Sequence, residues 1–177
     1  MKKIILLLLL LTALSSTAFA SPPPKEQVES ELLTLINHHI DGYKDNPRVM
    51  IYQILGYESQ NVKDGWRKSK CIITGDYSYE IQQTNSVDSP YTAYFIYKMF
   101  ILVSPPYSTR EDAERTEVFK ENNRPNVYRI SLSYQDGKWT PIKYESQFQV
   151  ERNIPPFWRA MEQNISNTAY KRVVVIK

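Results

Sequence analysis

The run Thr92–Val103, TAYFIYKMFILV, constrains the fold more than any other stretch of the chain. Alternate positions put Tyr94, Ile96, Lys98, Phe100 and Leu102 on one side and Phe95, Tyr97, Met99, Ile101 and Val103 on the other, so a strand here is apolar on both faces. A strand of that kind sits centrally in a sheet and is covered on each side.

The neighbouring sequence supplies partners for it. Val49–Tyr57, Trp66–Ile73 and Tyr77–Thr84 are rich in β-branched and aromatic residues, and the breaks between them, Lys63-Asp64-Gly65, Thr74-Gly75-Asp76 and Asn85–Pro90, have turn chemistry. Val127–Gln135 alternates with Tyr128, Ile130, Leu132 and Tyr134 on one face. Asp136-Gly137 is a hairpin signal, and Lys138–Glu151 is the returning strand. Pro141 inside that strand predicts an edge position.

Helical patterns flank and interrupt the strands. Val28, Leu32, Leu35, Ile36 and Ile40 recur at helical spacing, acids precede them, and Gly42 is the expected stop. After Ser104-Pro105-Pro106, Ser108 with Glu111 forms a capping-box pattern, predicting a charged surface helix from Thr109 to about Lys120. Pro155-Pro156 opens a short helix with Phe157, Trp158, Met161 and Ile165 on one face. Tyr170–Ile176 reads as a last β-prone segment or a tail packed on the core.

The class is α+β, an N-terminal amphipathic helix packed on a curved antiparallel sheet. This order of elements resembles the cystatin-like and NTF2-like folds, in which such a helix lies in the concave face of the sheet. The resemblance is one of element order; no residue motif accompanies it and no family's functional residues carry over.

Residues 1–20 stand apart from this pattern. A basic Met1-Lys2-Lys3, an apolar run from Ile4 to Leu14 and Ala18-Phe19-Ala20 make a secretory signal of bacterial style, cleaved near Ala20. Residues 21–25 are a proline-rich spacer, and 26–177 form a single globular domain. Removing the signal leaves 20 basic residues against 19 acidic. That balance argues against phosphate tracking, so no nucleic-acid partner is expected. No later segment has the roughly 18 consecutive apolar residues of a membrane span, and Ser21 is not a lipid-accepting cysteine. The expected location is the periplasm or the exterior.

Few residues carry obvious chemistry. Adjacent helical His38 and His39 cannot converge on one metal, which needs i, i+4 spacing, so no metal is assigned. His39 falls within the apolar stripe, where it is either a core histidine or a base lining a pocket between helix and sheet. Cys71, the single cysteine, cannot form an intramolecular bridge and reads as an inert buried thiol. Serine-hydrolase, Walker, dinucleotide and calcium-loop spacings are absent, so no cofactor is expected. Asp76, Glu80 and Asp88 are the acids of the strand-rich region, and Asn164-Ile165-Ser166 matches a glycosylation acceptor.

The compositional excess is aromatic: thirteen tyrosines, with Trp66, Trp139 and Trp158. A flat apolar ring with a polar tip suits either a half-wet sheet or a binding platform. Tyr77, Tyr79, Tyr94, Tyr97, Trp66 and His39 are the candidate ligand-binding residues. They point to a non-catalytic module that binds a protein or small molecule through aromatic sheet residues. One alternative is an NTF2-like enzyme with His39 as base and a tyrosine or Asp76 as acid. Another is a structural envelope component that pairs through a sheet edge, with Lys171–Lys177 as the candidate edge.

Overall fold

A computed structural model describes residues 22–54, 64–120, 124–148, 155–163 and 168–175. Helix α1 spans Lys25–Asp45 and buries Val28, Leu32, Ile36, His39 and Tyr43 along one stripe. It does not stop at Gly42. Tyr43 extends the stripe by one more buried position, and the Asn46 N–H closes the last turn on the Gly42 carbonyl (3.1 Å).

Six strands follow as one antiparallel sheet whose spatial order is the sequence order: β1 Val49–Ile54, β2 Gly65–Gln83, β3 Tyr91–Val103, β4 Asn126–Gln135, β5 Lys138–Phe148 and β6 Phe157–Ala160. The sheet is not strongly curled. The two strands expected over Trp66–Thr84 are one, because Thr74-Gly75-Asp76 is a bulge and not a turn. Ile73 pairs with Met99 and Tyr77 with Tyr97, so those three residues oppose Lys98 alone. Gly75, with φ +84, takes the left-handed conformation the bulge requires. A long β3 provides enough ladder for both halves, which removes any reason for the chain to reverse.

One face of the sheet is the core face. Tyr91, Ala93, Phe95, Tyr97 and Met99 of β3, with Tyr128, Ile130, Leu132 and Tyr134 of β4, are buried beneath α1. On the opposite face Tyr94 and Ile96 are half-buried and Lys98 is exposed, so β3 is central in the sheet but thoroughly covered on one side only. Beside the β5 bulge that opposes Ser131 and Leu132 of β4, Pro141 lies outside the stretch that β6 pairs, Glu145–Phe148. This is the edge position its missing N–H predicts.

The remaining elements depart from the sequence pattern where tertiary partners compete with local preference. Helix α2 is only Arg110–Arg115, and its N-cap is Thr109 rather than Ser108, accepting the Asp112 N–H at 3.1 Å. The buried Lys68 ammonium ends it by donating to the carbonyls of Glu114 (3.0 Å) and Thr116 (2.9 Å), and Lys120 bridges back to Val103. Phe157–Ala160 is strand β6, not helix: it pairs with β5, and its Phe157 ring meets Phe148 at 5.9 Å. Of the two alternatives for Tyr170–Ile176 the tail packed on the core holds: helix α3, Thr168–Val173, takes the place of a strand and removes Lys171–Val173 as a pairing edge. It is held by the Tyr43 hydroxyl on the Arg172 carbonyl and by Arg48 on the Lys171 carbonyl (2.6 Å), with Val173 and Val175 buried in the core.

Candidate functional site

Four of the aromatic residues fasten the helix to the sheet. Tyr79 donates to the Glu29 carboxylate and Tyr134 to that of Glu31, both at 2.8 Å. The Trp139 indole N–H reaches the Val28 carbonyl at 2.9 Å, and Tyr77 reaches Asn37 at 3.3 Å. Each of these rings rises from the core face of the sheet, and its polar tip crosses to the helix. This supplies the partner that the buried Tyr134 phenol and Trp139 indole need, while Tyr77 stays exposed at the edge of the helix.

Tyr77, Tyr79 and Tyr97 therefore belong to the helix-facing side, and Tyr97 is 1% exposed. His39 is fully buried, with Tyr43, Phe95 and Tyr97 edge-on around it at 5.1–5.6 Å between ring centroids. Burial first, then the positive charges of Arg48 and His38, lowers its pKa from 6.5 to about 3, so it stays neutral. Asp76, its suggested acid partner, is exposed at the β2 bulge and shares no cavity with it. Trp66 lies far along β2, its backbone bridged to Tyr107 and the Arg110 guanidinium 5.8 Å from its ring centre. Of the candidate set, Trp66 and Tyr94 lie on the opposite face, Trp66 at the end covered by α2 and Tyr94 in the uncovered middle.

That opposite face is where unsatisfied surface remains. Helix α2 covers its β1–β2 end, and among the described residues no helix covers its middle. Strand register lines up two rows there. Glu80 stands beside Tyr94 and Tyr94 beside Ser131; in the next row Ile96 stands beside Arg129, and Arg129 beside Glu145. Tyr94 and Gln82 donate to the Glu80 carboxylate and hold it below the usual range, and the same bond raises the Tyr94 phenol. Glu145 is 4% exposed. Burial would push its carboxyl up, but hydrogen bonds from Arg129 and Lys143, each at 2.8 Å, outweigh it and hold the pKa down. The Arg129 guanidinium also lies 4.5 Å from the centre of the Trp158 ring, a cation–π contact.

Two shallow depressions flank this ladder. One of about 230 Å³ is bounded by Asp76, Ser78, Ile96, Lys98 and Val127. The other, of about 200 Å³, is bounded by Glu80, Tyr94, Ser131 and the half-exposed Ile142. Both are smaller than the roughly 300–1,000 Å³ of small-molecule pockets. A wider cleft of about 420 Å³ lies between Pro22–Pro23, the Val87–Pro90 loop and Asp136-Gly137.

Arg129 and Glu145 escape sequence reasoning, because a charge within an alternating strand looks like ordinary solvated surface until the register is known; Trp158 stands out in the aromatic excess but on an expected helix, where strand β6 is found. Cys71 is fully buried, and burial raises its thiol pKa. Among the described residues no cluster of metal-ligating side chains forms, and no helix is long and apolar enough to cross a membrane. Asn164–Ser166 lies outside the described residues, as does Met1–Ala20. No protein-family model, curated protein or solved structure matches the chain.

Proposed function

We propose that the chain is an exported, non-catalytic binding module that recognises a protein partner through the helix-free face of its sheet. The observation that carries this reading is the helix-free middle of that face, where half-buried Tyr94, Ile96 and the Arg129–Trp158 stack and exposed Ile142 lie beside aligned charges. Apolar and aromatic groups there supply contact area, and the ordered charges supply register. Depressions this shallow favour a protein surface over a small molecule. Export is supported by the three-part pattern of residues 1–20.

Of the two architectures that element order resembles, the cystatin-like one is favoured. An NTF2-like enzyme needs an open cone between helix and sheet, and here His39, Tyr43, Phe95 and Tyr97 fill that space.

Two measurements test the reading. N-terminal sequencing of the exported protein is expected to begin at Ser21. A photoreactive residue replacing Ile96 is expected to give covalent adducts in cells, whereas the same residue replacing Asp41, exposed on α1, gives none. Absence of adducts at Ile96, or the same adducts at both positions, defeats the proposal.

A further inference from the structure

The two edges of the sheet are finished differently. Strand β6 has four residues, follows Pro155-Pro156 and carries Arg159; shortness, proline and charge are devices that stop an edge from pairing. Strand β1 also follows a proline and a charge, Pro47-Arg48, but its six residues, VMIYQI, carry neither and keep an unbroken register against β2.

The ladder determines which of its peptide groups face outward. The Cys71 N–H donates to the Arg48 carbonyl (3.0 Å), while Trp66 and Lys68 direct their backbone groups to Tyr107 and Ser104 on the β3 side. Bonded and non-bonded pairs alternate along an antiparallel ladder. Met50, Tyr52 and Ile54 therefore bond to β2, and Val49, Ile51 and Gln53 turn their N–H and C=O groups away from it. Among the described residues none pairs with those groups.

We infer that β1 is the interface of a homodimer, pairing antiparallel with β1 of a second copy about a two-fold axis through Ile51. In that register Val49 faces Gln53 of the second copy, and Ile51 faces its own counterpart. Every outward donor then meets an outward acceptor. Met50 comes opposite Tyr52 of the second copy, a thioether against an aromatic ring. No charged residue lies within the strand, so self-pairing brings no like charges together. The strand is thus its own complement, and a two-fold contact of this kind closes on itself without leaving a new edge at the interface. The inference is independent of the helix-free face, since it concerns the edge of the sheet.

Sedimentation velocity on protein purified from cells expressing the full chain is expected to show a concentration-dependent monomer–dimer equilibrium. Val49 is 48% exposed and Gln53 is also exposed, so both positions accept charge without disturbing the core. Val49→Lys with Gln53→Lys sets like charges opposite one another twice across the axis, and is expected to raise the dimer dissociation constant by about tenfold or more. Val49→Glu with Gln53→Lys sets opposite charges at the same places, and is expected to keep the dimer at least as tight as wild type. Circular dichroism and thermal melting establish that both variants are folded. A wild-type protein that stays monomeric at every concentration overturns the inference. So does a dimer that tolerates the double-lysine variant, or one that both variants weaken equally.

Discussion

Acidification from pH 7 to pH 5 is expected to weaken the fold through one residue, His39. Its imidazole is fully enclosed by rings, and burial, with Arg48 and His38 adding to it, holds its pKa at about 3. Unfolding returns it to the ordinary 6.5. Between those values the unfolded chain binds a proton that the folded chain refuses, so stability falls as pH falls below 6.5. The loss ends near pH 3, where the folded imidazole itself titrates. The free energy lost at pH 5 is RT ln(1 + 10^1.5), about 2 kcal/mol, and the whole window is worth at most about 5 kcal/mol.

Urea unfolding followed by tryptophan fluorescence at the two pH values reads this directly. With a denaturant slope of about 2 kcal/mol per molar, the wild-type midpoint drops by about 1 M on going to pH 5. Glutamates contribute little in this interval, because unfolded carboxylates bind few protons above pH 5. His39→Phe keeps an aromatic ring among Tyr43, Phe95 and Tyr97 and removes the titration, so its midpoint is expected to fall by less than a third as much. His38→Gln, at an exposed position on the same helix, is expected to behave as wild type. If His39→Phe loses as much stability as wild type between pH 7 and pH 5, enclosure of the imidazole does not govern the acid response and the reasoning fails.

Two further outcomes follow from the ion pairs and ring tethers. Glu145→Gln leaves Arg129 facing a neutral amide in a mostly buried position, and is expected to cost about 1–3 kcal/mol at pH 7 by urea denaturation. The Glu145 carboxyl is held below its ordinary value, so its contribution is full above that value and lost as pH falls through the folded one; the Gln variant accordingly converges on wild type below pH 4.5. Tyr134→Phe deletes the hydroxyl that reaches Glu31 and is expected to cost about 0.5–1.5 kcal/mol. Hydrogen exchange is then expected to quicken in the first half of α1 more than in β4.

The sequence carried the outline because its strongest signals are local and periodic. Val28 through Ile40 repeats at the helical interval, and Tyr128 through Tyr134 alternates at the strand interval; both faces are buried as that spacing requires. Asp136-Gly137 closes the hairpin between β4 and β5, with both residues at positive φ. Where local signals are ambiguous the sequence misleads. Gly75 serves a turn or a bulge equally well, and only the length of β3 decides between them. Phe157–Ala160 is a strand where the sequence predicts a helix, and the β-prone start of Tyr170–Ile176 is helical, because pairing with β5 and capture by Tyr43 and Arg48 outweigh short-range preference.

The site was less legible than the fold for the same reason. Thirteen tyrosines signal that rings matter, but composition cannot say which way each points. Register places Tyr77, Tyr79 and Tyr97 toward the helix and Tyr94 away from it. Cross-strand neighbours distant in the chain bring Arg129, Glu145 and Trp158 together. The amino-acid order by itself determined where the strands and the first helix form, because propensity and periodicity act over a few residues. Tertiary structure alone decided which aromatic residues fasten the helix and which remain on the open face, because a side chain's neighbours across a sheet are set by pairing between distant segments.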